Sequence, residues 1–277
     1  MRTPAVAGLA VAGVLAGAGA AAGTSWFTAF DAEAEAETQT PDPADGPLGD
    51  LSALDGYGTL VVSGDPTPRP VPTAERAEEV TGLAVPTITT FPRGVSGDPE
   101  HLVVGAVEVT FTFSADEASR TVEALGTRLP PPPAGLDGSQ MRVAGGPGTL
   151  TVWSSPAGAP ALVIAQAPVP SVDVDGAART AAAVEYLLSL PGLPDDLRGR
   201  IGELAGAGGS VPIDGLPLPL DAEGLTSTRT EVGGVPAKLL VTRDRSLAAV
   251  VWVQGGLIRV VGGAVDADEL LAVAREL

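Results

Sequence analysis

The sequence predicts an α+β domain in which an antiparallel β-sheet, arranged as one meander or as two similar meander halves, is covered by a helical hairpin and a C-terminal helix. Three observations predict it. Val107 to Phe113 alternates strictly, with Val107, Val109, Phe111 and Phe113 on one side and Glu108, Thr110 and Thr112 on the other, which is the period of a half-buried strand. Two blocks, Met141 to Gln166 and Thr228 to Val261, are rich in β-branched residues and punctuated by glycine pairs. Leucines recur at helical spacing between Val184 and Leu204 and again between Asp266 and Leu277.

The chain divides into three parts. Residues 1–30 hold an uncharged run over 4–23, just after Arg2, long enough at about 1.5 Å per residue to span a ~30 Å hydrocarbon core. Its length and the Trp26, Phe27 and Phe30 belt favour a retained signal anchor. The small residues Ala18-Gly19-Ala20 and Ala20-Ala21-Ala22 leave cleavage as a secretory signal peptide open. Either way the rest of the chain is expected outside the cytoplasm. Residues 31–71 form an acidic, proline-punctuated tether, whose first part, 31–46, lacks large apolar side chains and so has nothing to bury. Residues 72–277 form the folded domain.

Within that domain Thr73 caps a short helix that stops at Gly82, and Ser114 with Glu117 spells a capping box for a second helix ending at Gly126. Pro130 to Pro133 is a stiff polyproline spacer. A displacement of 88 residues lays Gly145-Gly146 on Gly233-Gly234, Ala161 on Ala249, Val163 on Val251 and Gln166 on Gln254, as an internal duplication or as two ordinary hairpins of one sheet. From an N-cap at Asp175 a helix runs to Leu190 with Val184, Leu187 and Leu188 on one side. Pro191-Gly192 turns it, and Leu193, Leu197, Ile201 and Leu204 line the next helix. This is a corner with an apolar underside, best spent covering a sheet. In the last helix Asp266 and Glu269 sit at the N-terminus while Leu270, Val273, Ala274 and Leu277 face inward.

Composition excludes several functions. A formal charge of −18, with Lys238 the only lysine, repels phosphate backbones and argues against nucleic-acid binding. With no cysteine there is no thiol catalysis, iron–sulfur cluster or cysteine zinc site. The single histidine, His101, reads as a surface or strand-edge side chain rather than a ligand. Asp173/Asp175 and Asp266/Asp268 do not complete a D-x-[DN]-x-[DN]-G calcium loop with a glutamate at its twelfth position and read as helix caps. Gly145-Gly146 and Gly208-Gly209 read as turns, and Trp153 and Trp252 as core. The sequence points to no catalytic, cofactor-binding or metal residue, implies no cofactor, and singles out no ligand-binding residue.

The two ends of the folded unit resemble a bacterial extracytoplasmic domain family of uncharacterised function found in anti-sigma-factor-like membrane proteins. The resemblance is carried by "AERAEEVTGLAVP" (Ala74 to Pro86) and "FPRGV" (Phe91 to Val95), then by "VGGVPAKLLV", "VVWVQGGLIRVVGG" and "DADELLAVAREL". It implies a non-enzymatic, sensory or regulatory module or a component of an envelope complex. The alternative is a carrier of a hydrophobic ligand, similar to periplasmic lipoprotein carriers. The expected partners are the membrane, through the N-terminal segment, and a protein bearing basic patches or apolar grooves.

Overall fold

The computed structural model describes residues 51–175, 180–206 and 225–277; the apolar run at 4–23, the acidic stretch at 31–46 and the Gly208-Gly209 pair lie outside the described residues. A 3-10 turn, Leu51–Leu54, leads into β1 (Gly58–Gly64) and β2 (Arg69–Val71), followed by α1 (Ala74–Thr81), β3 (Ser96–Val104), β4 (Val107–Phe113) and α2 (Ala115–Ala124). Next come β5 (Gln140–Gly145), β6 (Gly148–Ser154), β7 (Pro160–Pro168), β8 (Ser171–Asp175), α3 (Thr180–Leu188) and α4 (Asp195–Gly206). The chain closes with β9 (Leu225–Val232), β10 (Val235–Thr242), β11 (Ala248–Gln254), β12 (Leu257–Gly263) and α5 (Ala267–Ala274). The class is α+β, mostly antiparallel sheet with a few helices.

Two ladders replace the single sheet expected: a four-stranded one in the order β1-β4-β5-β8 and an eight-stranded one in the order β2-β3-β6-β7-β12-β11-β10-β9. They are nevertheless continuous in register. Val107 pairs with Gly145, and three residues further back Val104 pairs with Gly148. Likewise Thr149 pairs with Gln166, and five residues away Ala144 pairs with Ser171. So β3 and β4 are one long strand, as are β5 and β6, and β7 and β8, each interrupted at one seam formed by Gly105-Ala106, Gly146-Pro147 and Val169-Pro170. The cause is local. Pro147 and Pro170 have no N–H to give to a ladder. A Cβ on Gly105 would lie 2.5 Å from the Asp65 carbonyl oxygen, so the connection between β1 and β2 approaches there as only glycine permits.

The folded unit also begins earlier than expected. Residues 51–71, assigned to the tether from sequence, carry β1 and β2; β1 pairs with β4 from Gly58 to Gly64, and Leu54 and Tyr57 are buried. Tyr57 and Leu60 supply the apolar surface that makes this segment part of the core.

Helix termini follow local chemistry. The Thr73 hydroxyl accepts from the Arg76 N–H at 3.2 Å, and Gly82 ends α1 in the left-handed region at φ 71°. The Ser114 hydroxyl accepts from the Glu117 N–H at 3.3 Å, but the Ser114 N–H is spent on the Tyr57 carbonyl, so only one arm of the expected capping box forms. Between α3 and α4 the chain turns at Gly192, φ 83°, and the Tyr57 hydroxyl donates to the Pro191 carbonyl. Asp175 is not a helix cap. It ends β8, and Asp173 lies in the same strand. Asp266 does occupy the N-cap position of α5, without a side-chain cap bond, and Glu269 pairs with Arg93 at 3.1 Å instead of capping.

Two main cores result. Phe111, Phe113, Val122, Tyr186, Leu187 and Leu197 pack α2, α3 and α4 onto the four-stranded part. Trp252, Val250, Val261, Leu270 and Val273 belong to the larger core, where α5 lies against β11 and β12. The 88-residue displacement lays β5 to β8 over β9 to β12 element by element. The connections differ: Gly145-Gly146 carries one strand through the seam, whereas Gly233-Gly234, both at positive φ, fold β9 back on β10.

Candidate functional site at the seam

Alternation along the strands decides which side chains share a face. Opposite positions put His101 with Thr151, Val103 with Thr149, and Arg259 with Gln166 on one face of the eight-stranded part. That face carries α1, through Ala77, Val85 and Val103, and α5, whose following Leu277 carbonyl accepts from Arg259 Nη1. Because register passes through the seam unshifted on β3–β4, β5–β6 and β7–β8, the same face continues onto Phe111, Phe113 and Met141, where α2, α3 and α4 sit. All five helices of the described residues therefore lie on one side.

Between these two helical layers a row of valines remains. Val62 pairs with Val109, and Val109 with Val143, on the helix-bearing side next to the seam. Val62 is 59% exposed, and Val109 and Val143 are half-buried. One residue pair along, Leu60 and Phe111 already pack into the core beneath the helices. The row is an apolar strip open at the β1 edge, and it can receive an apolar side chain or ligand.

The polar groups of this face hold structure in place. Thr149, Thr151 and Gln166 are buried, Gln166 Nε2 donates to the Ala84 carbonyl, and His101 Nδ1 lies 3.3 Å from Thr151 Oγ1. His101 is half-buried on the second strand from the edge, beneath α1, rather than at a surface or edge position. Burial pushes its pKa below the ordinary 6.5, which the Glu75 carboxylate partly offsets. On the opposite face Arg142 lies between Glu108 and Asp175, 3.3 Å from each, in a solvent-screened arrangement of modest worth.

No protein family, no curated protein and no solved structure matches the chain. Among the described residues, no group of three His, Asp or Glu could hold a metal ion. Trp252 is fully buried and Trp153 nearly so, the latter edge-on to Phe91 at 6.1 Å, as expected of core residues. Sequence reasoning missed the valine row, because Val62 lay in the presumed tether and cross-strand neighbours are invisible before register is known. The signal available was "TLVVS", three successive apolar residues bounded by glycines.

Proposed function

We propose that the chain is a non-enzymatic extracytoplasmic module, sensory or regulatory or part of an envelope complex, held at the cell membrane as a single-pass protein by residues 1–30. Secretion after cleavage is the alternative fate of the same segment. The apolar run at 4–23, the acidic stretch at 31–46 and the resemblance at both ends of the domain support the location. The observation that carries the binding role is the row Val62–Val109–Val143, left open between two helical layers on a chain whose formal charge is −18. We read β5 to β8 and β9 to β12 as two similar four-strand halves, joined in the eight-stranded sheet through β7 and β12. The 88-residue correspondence supports their common origin.

The test has two arms on the full chain in cells. A reporter fused after Leu277 should be active only if it requires export. A photoreactive residue at Val109 should give an adduct that Val143→Lys removes, while one at Thr228 on β9 gives none. A cytoplasmic C-terminus, or an adduct indifferent to Val143→Lys, sinks the proposal.

A second reading, the carrier of a hydrophobic ligand, draws on the other face of the eight-stranded sheet. Leu102, Leu150, Val152, Val163, Val251 and Val260 are apolar and buried there, and none of the helices among the described residues lies on that side. Mass spectrometry of the native protein should then detect a co-purified lipid, and a ligand-free mass removes this reading.

A further inference from the structure

Among the described residues the two ladders end in four edge strands: β1 and β8, β2 and β9. An edge strand presents unpaired N–H and C=O groups and is normally blunted by charge or proline. Three of the four follow that rule. β2 has Arg69 and Pro70, β8 has Asp173 and Asp175, and β9 has Arg229 and Glu231. β1, GTLVVSG, has neither a charge nor a proline. It also carries Val61 and Val62, 55% and 59% exposed, on opposite faces of the strand.

The backbone phase of that edge is known. The Ser114 N–H donates to the Tyr57 carbonyl at 2.9 Å, so by alternation Thr59, Val61 and Ser63 bond to β4 while Gly58, Leu60, Val62 and Gly64 direct their N–H and C=O outward. Read by residue class, the strand is also a palindrome about Val61: Gly58 matches Gly64, Thr59 matches Ser63, and Leu60 matches Val62.

We propose that β1 is a homodimer interface, in which the strand pairs antiparallel with β1 of a second copy across a two-fold axis at Val61. In that register Leu60 faces the partner's Val62 and Gly58 faces the partner's Gly64, so every outward N–H meets an outward C=O. Val61 faces the partner's Val61 as a non-hydrogen-bonded pair, with Cα atoms about 4.5 Å apart. The valine row continues across the axis through Leu60 and Val62. The palindrome selects this axis over its neighbour: a two-fold at Leu60 would set Gly58 opposite the partner's Val62 and Gly64 opposite the partner's Gly56, which lies outside the strand. This inference does not rest on the proposed function: a cytoplasmic C-terminus in the reporter assay leaves it intact.

The chain has no cysteine, so single-cysteine variants of the purified full chain in detergent report on the axis cleanly. Under copper-phenanthroline oxidation Val61→Cys should run mostly at twice the 27.5 kDa chain mass, since about 4.5 Å between Cα atoms falls within disulfide reach. Ser63→Cys should stay monomeric, because its two copies stand four positions apart, on the order of 13 Å. Thr226→Cys, on β9, should also stay monomeric. Adding Val62→Lys to the Val61→Cys chain should abolish the cross-link while the circular dichroism spectrum stays that of the folded chain, and in sedimentation the cysteine-free chain should be a dimer that Val62→Lys converts to monomer. A monomeric cysteine-free chain, a Val61→Cys cross-link no stronger than that of Thr226→Cys, or a cross-link that survives Val62→Lys overturns the proposal. A monomer that captures another protein at Val61 would assign the edge to that protein instead.

Discussion

Gly146 and Pro168 meet across the seam so closely that a Cβ on Gly146 would stand 2.7 Å from the Pro168 ring carbon Cγ. The contact leaves no room for a methyl group. Gly146→Ala should therefore destabilise the protein by about 1–3 kcal/mol, the usual cost of overpacking, in chemical denaturation at constant m-value. An unchanged midpoint would mean that the seam relaxes freely.

The helical cover makes a graded prediction for three leucines. Leu187 and Leu270 are fully buried, so truncation to alanine should cost about 2–5 kcal/mol each. Leu188 is only half-buried, although its spacing places it with Leu187, and its truncation should cost about 1 kcal/mol. Equal losses at Leu187 and Leu188 would contradict the orientation of α3.

Glu276 fastens the chain after α5 to the loop after α1. Hydrogen bonds from Thr90, then from the Thr89 N–H at 2.6 Å and the Thr89 hydroxyl at 2.9 Å, hold its carboxyl down to about 2. The folded state thus favours the ionised form. Its contribution is present above the ordinary value of 4.5 and fades as pH falls from there through about 2. Thermal melts between pH 5 and pH 2 should show a steeper loss for the native chain than for Glu276→Gln.

His101, the single histidine, titrates alone in a proton NMR spectrum. Burial should place its midpoint below 6.5, and Glu75→Gln should lower it further by removing the carboxylate that raises it. Because the folded state prefers neutral imidazole, stability should fall as pH drops from 6.5 through that midpoint, and His101→Asn should remove this dependence. A midpoint at or above 6.5 would contradict the position of His101 beneath α1.

Legibility in the sequence followed the range of the physics. Elements with local signals were readable: Val107 to Phe113 is a strand with Phe111 and Phe113 inward, Thr73 and Gly82 bound α1, and Gly233-Gly234 and Gly255-Gly256 turn a meander. Asp175 and Ser114 misled because their partners are distant. Arg142 claims the Asp175 carboxylate, and the Tyr57 carbonyl claims the Ser114 N–H, so Ser114 keeps only the hydroxyl arm of its cap. The candidate site was the least readable part. Val62, Val109 and Val143 come from three strands, and only the pairing register places them side by side.

The unshifted register through the seam also acts as a check on folding. A one-residue slip turns every side chain of a strand to the other face. Were β5 and β6 independent strands, a slip in one would spoil one core and leave the other sound. As one strand, a slip at Thr149 reappears at Met141, so an error nucleated at the β6–β7 turn would turn Trp153 out from under Phe91 and Met141 away from α3 together. Two hydrophobic layers would reject a single mistake, and the misregistered chain would have no half-correct state in which to rest.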